Sequence, residues 1–470
     1  MPVKTTEFSS LKLSTDLLAV IKELGFDQMT PIQAESLPSL LLGKDLIGQS
    51  KTGSGKTAAF ALPILQKTTT HHRYRDLQAL ILCPTRELCT QVAREIRKLG
   101  RRHVSLQVLI LSGGLPLRPQ LEALHKGVHI VVGTPGRVLD VIGRNRIDFS
   151  RVHTLVLDEA DTMLDMGFEE DIDAIISEVP GTRQTIFFSA TFPHSIAALT
   201  KKYQDNPVKI KIEEAPESVP SIQQIAYEAE PENKVGTLIR VLQQHNPNSA
   251  IVFCNRKASV AELAQTLADQ GLSSDCLHGD LEQVDRDQVM ALFRNGSTRV
   301  LIATDVAARG LDIKDLDLVV NFELPHQPDI YVHRIGRTGR AGQTGTAVSL
   351  IGTDETPRIQ EIEEFTGVRF EHKTLGFKNQ EGIGKSSTLR EAPMQTLSIG
   401  GGRKDKLRPG DILGALTGES GGLKGADIGK IEIHDRISYV AVSSHLASMA
   451  LQSLRDGKIK GLKFSIRLIR

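Results

Sequence analysis

The fold is indicated most directly by the segment Ser50-Lys51-Thr52-Gly53-Ser54-Gly55-Lys56-Thr57. An apolar segment precedes it and a helix-compatible segment follows it, which is the strand, loop and helix context of a phosphate-binding loop. Glycines let backbone N–H groups converge on phosphate oxygens, while Lys56 suits the outer phosphates and the Thr57 hydroxyl suits Mg²⁺. The residues that we expect to bind a nucleotide here are Gly53, Ser54, Gly55, Lys56 and Thr57.

Two carboxylates follow an apolar segment further along, in Asp158-Glu159-Ala160-Asp161. Residues 152–157 are typical of a buried strand, and open α/β sheets bind ligands at the carboxyl ends of their strands. Asp158 is then a candidate Mg²⁺ ligand, directly or through water, and Glu159 is the candidate that orients or deprotonates the attacking water. Together with the loop, this pattern indicates an enzyme that hydrolyses a nucleoside triphosphate.

Composition indicates an ordinary globular enzyme. The chain has 470 residues, 40% of them hydrophobic and 24% charged, which suggests about three domains. Its four cysteines show no paired spacing, so we expect neither a zinc site nor a disulfide framework. We also expect a cytoplasmic protein with no membrane partner, because the sequence shows no signal peptide or membrane-spanning apolar stretch.

Charge is distributed unevenly along the chain. The net charge is +1, but residues 394–470 carry 13 Lys and Arg against 7 Asp and Glu, whereas the rest carries 44 against 49. The last segment is therefore basic, with a net charge of +6, and everything before it is slightly acidic. A basic surface by itself predicts only salt-sensitive, sequence-independent affinity for nucleic acid.

Apolar strand candidates alternate with helical segments twice over, and this predicts two α/β lobes with parallel sheets. The basic end reads β-α-β-β-α-β, which predicts a ferredoxin-like α+β domain of the RRM type. The predicted boundaries are 1–212 for the first lobe, 213–220 for an interlobe linker, 221–372 for the second lobe, 373–393 for a second linker and 394–470 for the C-terminal domain.

The motifs between Phe8 and Gly342 resemble, in order and spacing, those of the DEAD-box RNA helicases. The resemblance implies two RecA-like lobes, with ATP and Mg²⁺ as cofactors. It also implies that Gln33, in Thr30-Pro31-Ile32-Gln33, hydrogen-bonds the adenine edge and that Phe8 stacks on the adenine ring. A side-chain amide offers both a donor and an acceptor, which suits adenine.

Several segments match the RNA-contacting motifs of that family. They are Pro84-Thr85-Arg86-Glu87-Leu88, Gly113-Gly114, Thr134-Pro135-Gly136-Arg137 and Thr304-Asp305. Contacts to phosphate and ribose fix a strand without reading its bases. The resemblance assigns RNA binding to Arg86, Gly114, Thr134, Arg137 and Thr304.

An arginine cluster, His333-Arg334-Ile335-Gly336-Arg337-Thr338-Gly339-Arg340, resembles the second-lobe catalytic motif. The resemblance makes Arg337 and Arg340 arginine fingers, which contribute on the order of 10³ to 10⁵ in rate. Because the phosphate-binding loop belongs to the other lobe, hydrolysis should require ATP and RNA to bring the lobes together. The resemblance also assigns a bridging role to His333, a ribose contact to Asp312, and coupling of hydrolysis to unwinding to Ser189 and Thr191.

The C-terminal segments 403–416, 429–431 and 456–461 resemble the RNA-binding domain of the DbpA group of bacterial DEAD-box proteins. The resemblance implies recognition of a hairpin in the peptidyl-transferase region of large-subunit ribosomal RNA, with the pre-ribosomal large subunit as partner and no required protein partner. It assigns RNA contacts to Lys404, Lys406, Arg408, Lys458 and Lys460. The third strand of the domain lacks most of the aromatics that ordinary RRMs stack on bases, so we expect no base stacking on the flat sheet beyond a contribution from Tyr439.

Two functions remain open from the sequence. The leading one is an RNA-dependent ATPase that couples hydrolysis of ATP to local unwinding or remodelling of large-subunit ribosomal RNA during ribosome assembly. The alternative is an ATP-gated RNA clamp that binds a site and excludes partners, with little unwinding. An assay of duplex unwinding distinguishes the two.

Overall fold

The structure is a computed structural model that describes residues 6–469 apart from 51–52, 71–74, 213–221, 271, 309–312, 314, 340–343, 375–391 and 419–420. It contains two seven-stranded parallel sheets and one four-stranded antiparallel sheet. The predicted fold class is thereby confirmed. The predicted linker 213–220 and most of the linker 373–393 lie outside the described residues, so the domain boundaries stay a prediction.

The first lobe is built on a parallel sheet. Its strands are β1 (Leu46–Gln49), β2 (Ala79–Leu82), β3 (Val108–Leu111), β4 (Ile130–Gly133), β5 (Thr154–Asp158), β6 (Gln184–Ser189) and β7 (Val208–Lys211). Its helices are α1 (Thr15–Glu23), α2 (Pro31–Leu41), α3 (Lys56–Lys67), α4 (Arg86–Leu99), α5 (Leu117–His125), α6 (Pro135–Gly143), α7 (Ala160–Asp165), α8 (Glu169–Glu178) and α9 (His194–Tyr203).

The strand order of the first lobe is β3-β4-β2-β5-β6-β1-β7. Helices cover both faces, so a central strand is apolar throughout: in β2, Ala79 and Ile81 pack into one core, and Leu80 and Leu82 pack into the other. The order places β6 between β1 and β5. The phosphate-binding loop after β1 and the acidic motif after β5 therefore open at the same edge of the sheet, on either side of the end of β6.

The second lobe repeats this architecture. Its strands are β8 (Ile222–Glu228), β9 (Ala250–Cys254), β10 (Ser274–Leu277), β11 (Val300–Thr304), β12 (Leu318–Asn321), β13 (Gly345–Ile351) and β14 (Glu371–Lys373), in the order β10-β11-β9-β12-β13-β8-β14. Its helices are α10 (Lys234–His245), α11 (Lys257–Asp269), α12 (Gln283–Arg294), α13 (Asp305–Ala308), α14 (Pro328–Ile335) and α15 (Thr356–Thr366).

The C-terminal domain has the predicted β-α-β-β-α-β order. Its elements are β15 (Met394–Ile399), α16 (Pro409–Thr417), β16 (Ile428–Ile433), β17 (Ser438–Ser443), α17 (Ala447–Asp456) and β18 (Ile466–Ile469), and its sheet is ordered β16-β17-β15-β18. Both helices pack on one face of the sheet, against side chains such as Leu397 and Val440. The last strand begins at Ile466, three residues later than the strand-like pattern that starts at Lys463.

Smaller features complete the description. Cys83, Cys89 and Cys254 are buried free thiols, and Cys276 is a half-buried one. Within the described ranges, no helix is both long and apolar enough to cross a membrane. Short 3-10 helices lie at Phe8–Ser10, Pro231–Asn233, Thr353–Glu355, Arg403–Asp405, Gly425–Asp427 and Ser444–Leu446.

Candidate functional site

The phosphate-binding loop is fastened to the sheet edge by its own side chains. Lys56 is buried, and its Nζ donates a hydrogen bond to the Ser50 carbonyl oxygen at 2.9 Å. The hydroxyl oxygens of Ser50 and Ser54 lie 2.9 Å apart, and the Ser50 N–H donates to the Ser189 carbonyl at 3.0 Å. The loop thus spans from β1 to the end of β6, with Thr57 half-buried in the first turn of α3.

Gln33 joins the start of α2 to this loop. Its Nε2 donates to the Gly55 carbonyl oxygen, and its Oε1 accepts from the Thr30 N–H, both at 3.0 Å. Gly55 has φ of +95°, and a Cβ there would lie 2.6 Å from the Gln33 Nε2. Only glycine fits both demands. Phe8 is buried in the apolar core of the lobe, and its stacking on adenine stays a prediction.

Asp158 is the carboxylate best placed to hold a cation. It is buried at the end of β5, and its Oδ1 has no hydrogen-bond partner among the described residues. Burial raises the pKa of Asp158, and the nearby charge of Lys56 opposes that rise. A buried, unsatisfied carboxylate oxygen together with the Thr57 hydroxyl supplies the hard oxygen ligands that Mg²⁺ prefers. These residues fit the ion.

Glu159 occupies an unusual backbone conformation. Its φ of 54° and ψ of 53° lie in the left-handed region, immediately before α7. That conformation costs a residue with a side chain roughly 1–2 kcal/mol, and such strain clusters at active sites. The turn from β5 into α7 is therefore made at a catalytic candidate, where a glycine would be less costly.

Asp161 connects the acidic motif to the end of β6. Its Oδ2 accepts hydrogen bonds from the Thr191 N–H and hydroxyl, both at 2.8 Å, and from the Ala190 N–H at 3.1 Å. Burial acts to raise the pKa of Asp161, but the hydrogen bonds from Thr191 bring it below its ordinary value. Asp161 was not among the site residues predicted from the sequence. The coupling role of Ser189 and Thr191 stays a prediction.

The RNA-binding candidates of the first lobe surround the ends of β3 and β4. A Cβ on Gly114, whose φ is +71°, would overlap the guanidinium of Arg86, so the two segments lie in contact. Arg137 Nη1 donates to the Leu115 carbonyl oxygen at 3.2 Å. Thr134 is the residue that precedes α6. Three separate loops therefore meet at this edge of the sheet.

The second lobe contains a buried arginine that sequence reasoning missed. Arg334 is 1% exposed, and its guanidinium lies 5.1 Å from the ring centre of Phe253. All five of its N–H groups donate. The acceptors are both carboxylate oxygens of Asp305 (2.6 and 2.8 Å), the Glu323 carbonyl (2.6 Å), Asn255 Oδ1 (2.7 Å) and Asn321 Oδ1 (3.2 Å).

Arg334 thereby links the ends of three strands. Its acceptors Asn255 and Asp305 directly follow β9 and β11, and its acceptor Asn321 is the last residue of β12. One arginine of the cluster is thus structural and cannot belong to a solvated surface patch.

The other residues predicted for the second lobe lie around the ends of its helices or outside the described residues. His333 and Arg337 are half-buried around the end of α14, and the Thr304 Oγ1 caps α13 by accepting from the Ala307 N–H at 3.3 Å. Asp312 and Arg340 lie outside the described residues.

The C-terminal domain has a groove with two basic residues on its helical side. A groove of about 390 Å³ runs between α16 and α17, and glycines at positions 410, 414 and 418 keep its floor open. Lys458 and Lys460 line this groove, and both are exposed. A cationic groove of this size can accept a nucleic-acid backbone.

Lys460 also holds the neighbouring basic loop. Its Nζ donates to the Lys406 carbonyl oxygen at 2.9 Å and lies 3.8 Å from a carboxylate oxygen of Asp411. Both lysines have left-handed backbone, with φ of 58° at Lys406 and 52° at Lys460. The exposed side chains of Lys404, Lys406 and Arg408 therefore project from a loop of fixed shape.

Tyr439 does not offer a stacking surface. Its exposed fraction is 0%, and burial, with the charges of Asp287 and Glu432, raises its pKa to about 12. Its ring meets that of His434 edge-on, with 5.5 Å between ring centres. The one stacking contribution that the sequence left open, that of Tyr439, does not fit this burial, because the second lobe covers this face of the sheet.

Three protein-family profiles match the chain. They are the DEAD/DEAH box helicase over residues 30–199, the helicase conserved C-terminal domain over residues 233–342 and the DbpA RNA binding domain over residues 396–468. The chain is 47% identical over 466 residues to the ATP-dependent RNA helicase DbpA of Escherichia coli K12, which covers 99% of this chain and all of that protein. The chain belongs to the DEAD-box RNA helicases, in their DbpA group.

Two further similar proteins match a shorter part of this DEAD-box helicase. The DEAD-box ATP-dependent RNA helicase CshA of Bacillus cereus is 46% identical over 361 residues, which is 77% of this chain and 68% of that protein. The solved structure of S. cerevisiae Dbp5 bound to RNA and ADP BeF3 is 30% identical, covers 79% of this chain and 95% of its own, and superposes with a TM-score of 0.68.

Family membership establishes the activity in general terms. This DEAD-box protein is an RNA-dependent ATPase and helicase that uses ATP, and it carries an RNA-binding domain at its C-terminus. The reaction converts ATP and water to ADP and phosphate.

Proposed function

We propose that this helicase unwinds or remodels 23S-type ribosomal RNA locally while the large ribosomal subunit is assembled in the cytoplasm. Its C-terminal domain would direct it to a hairpin in the peptidyl-transferase region. The observation that carries the proposal is the folded, basic C-terminal domain of the DbpA type. Sequence-independent RNA remodelling would need the two lobes alone.

Lys56, Asp158 and Glu159 would carry out the hydrolysis. Mg²⁺, held by Asp158 and Thr57, would supply neutralisation of charge on the phosphate oxygens. Lys56 would bind the outer phosphates, and Glu159 would orient the attacking water or accept its proton. The strained backbone at Glu159 and the unsatisfied oxygen of Asp158 support these roles.

The remaining ATP-site roles belong to groups around this centre. Gln33 would recognise adenine, and its bond to the Gly55 carbonyl supports a position beside the bound nucleotide. Arg337 and Arg340 would stabilise charge that develops on the transferred phosphoryl group, with His333 and Asp312 as further contacts. Because these four come from the second lobe, ATP and RNA binding would have to bring the lobes together.

The core would hold RNA through phosphate and ribose contacts. Arg86, Gly114, Thr134, Arg137 and Thr304 lie at strand ends where loops meet, which supports such contacts. The C-terminal domain would bind its hairpin from the helical side, through the loop with Lys404, Lys406 and Arg408 and the groove with Lys458 and Lys460. Lys460 would act partly by positioning, since it already bonds the Lys406 carbonyl.

The decisive experiment measures ATP hydrolysis at matched salt with three additions: no RNA, an unrelated single-stranded RNA, and a large-subunit ribosomal RNA fragment that carries the hairpin. We expect stimulation by the hairpin fragment at concentrations where the unrelated RNA has little effect. Equal stimulation by both RNAs would refute the assigned target while leaving the helicase core intact.

A charge variant makes the test sharper. Lys458→Glu should weaken hairpin binding and hairpin-stimulated hydrolysis together, without changing the turnover reached at saturating RNA. Lys424→Glu changes a lysine of the same domain that is also exposed but does not line the groove, and it serves as the matched control. Equal losses in the two variants would mean that only overall charge matters.

A further inference from the structure

One face of the C-terminal sheet is buried although no helix of its own domain covers it. Leu397 and Val440 point into the core beneath α16 and α17. Thr396 and Tyr439, their neighbours in the two central strands, point to the opposite face, and both have an exposed fraction of 0%. The cover is the second lobe, which forms one compact unit with this domain (Ser218–Arg309 and Ile313–Arg470).

The cover is made by the C-terminal end of α12 and the turn that follows it. Arg294 Nη2 lies 2.9 Å from Glu432 Oε2, and their side chains are only 29% and 13% exposed. The Thr396 hydroxyl accepts from Asn295 Nδ2 at 3.3 Å and lies 2.7 Å from the Ser297 hydroxyl. We call this set of Arg294, Asn295, Ser297, Thr396 and Glu432 the joint.

The chemistry of the joint gives it a defined geometry. Apolar surfaces can slide past each other at little cost, but hydrogen bonds weaken steeply when their angles change. A buried polar group that loses its partner is also penalised by desolvation. Three directional contacts spread over β15 and β16 therefore favour one orientation of the domain on the lobe.

This orientation has a consequence for RNA. The groove of Lys458 and Lys460 lies between the two helices, on the side of the sheet opposite the joint. An RNA element held there is consequently carried at a fixed place relative to the second lobe, whose Thr304 is a candidate contact for the strand being remodelled.

We propose that the joint sets the spacing between the RNA element gripped by the C-terminal domain and the duplex that the helicase opens. Its five members are positioning residues that touch neither ATP nor the reacting atoms. The proposal rests on the proposed function for the identity of the gripped hairpin. The rigidity of the joint is independent of that identity.

The first test measures geometry in the full chain without RNA. Spin labels at Glu361 on α15 and Met449 on α17, both exposed, report the distance between lobe and domain, with Cys276 replaced by serine. We expect one narrow distance distribution in the otherwise unchanged chain. Arg294→Glu should broaden it, because a charge-assisted contact of this kind shifts the docking equilibrium roughly 10- to 100-fold.

The swap Arg294→Glu with Glu432→Arg restores opposite charges and should restore the narrow distribution. Arg358→Glu changes an arginine of α15 that is 34% exposed and lies outside the joint, and it should have no effect. An equally narrow distribution in the Arg294→Glu variant would overturn the proposal, as would a broad one in the swapped protein.

The second test measures function. A series of RNAs carries the hairpin, a single-stranded spacer of increasing length and a reporter duplex, and the unwinding rate is recorded for each. The unchanged chain should show a clear optimum in spacer length. Arg294→Glu should flatten the optimum and lower its maximum at least fivefold, while hairpin affinity and hydrolysis stimulated by unrelated RNA stay unchanged.

The outcomes separate the two proposals. No preference of the unchanged chain for hairpin RNA would refute the proposed target, whereas the distance measurement would still decide whether the joint is rigid. A preserved hairpin preference with identical spacer profiles in the unchanged chain and the Arg294→Glu variant would refute the role of the joint alone.

Discussion

Replacing Arg334 should loosen the second lobe more than replacing any exposed arginine of that lobe. Arg334→Ala removes five hydrogen bonds and leaves the carboxylate of Asp305 without its cation. Breaking a buried ion pair by removing one partner costs about 3–5 kcal/mol. Replacing the half-buried Arg358, whose nearest carboxylate oxygen lies 3.8 Å away, by alanine should cost at most about 0.5 kcal/mol.

Hydrogen exchange of the full chain, followed by mass spectrometry, tests this prediction locally. The acceptors of Arg334 lie at the ends of β9, β11 and β12, so the amides of these strands should report its loss. A cost of 3–5 kcal/mol corresponds to roughly 150- to 5,000-fold faster exchange where exchange follows opening of the lobe. Strands of the first lobe should be unaffected.

Amide exchange in β11 and β12 that is accelerated less than threefold would contradict the stabilising role assigned to Arg334. A double-mutant cycle with Asp305→Ala adds a second check, because the two losses should be far from additive. If their costs simply add, the ion pair contributes little, and the stability of the lobe comes from its apolar core.

Three further outcomes follow from the site and the joint. Glu159→Gln should bind ATP and RNA as before but hydrolyse ATP on the order of 10²- to 10⁴-fold more slowly, and single-turnover hydrolysis near the wild-type rate would exclude its catalytic role. Gly114→Ala should displace the Arg86 guanidinium and weaken RNA binding, measured by fluorescence anisotropy, whereas Gly143→Ala, where a Cβ meets open space, should not. Burial raises the pKa of Glu432, but the hydrogen bond from His434 and the charges of Arg294 and Lys430 lower that pKa to about 2. The docking that the Glu432 carboxylate stabilises is therefore complete above about pH 4.5 and is lost as pH falls toward 2. Distance measurements that show undocking only at alkaline pH would contradict that sign.

Sequence predicted the central strands because they are buried on both faces. β2 is a continuous apolar run and β5 contains one at residues 155–157, and such runs are visible without knowledge of their neighbours. The edge strand β14, which reads Glu371-His372-Lys373, could not be predicted, because it is exposed and polar and exists only through pairing with β8. β8 itself begins with two glutamines among its first three residues, which obscures its apolar pattern.

The site residues divide in the same way, into those that a local sequence pattern indicates and those whose role depends on partners distant in sequence. Lys56 and Asp158 were predicted because each follows an apolar strand in a short local pattern. Asp161 and Arg334 were missed as bonding centres, because their partners are distant in sequence and are brought near only by the strand order. The burial of Tyr439 could not be anticipated either, since nothing in β17 indicates that another domain covers it.

The covered face of the C-terminal sheet limits how far this domain can be exchanged between helicases. Transplanted onto another two-lobed core, the domain should bring its RNA affinity with it, because the groove and the basic loop are built from its own residues. It should not bring its orientation on the lobe, because three of the five joint residues belong to the end of α12 and the turn that follows it. A chimaera that combines this domain with a foreign lobe would need Arg294, Asn295 and Ser297 grafted along with it.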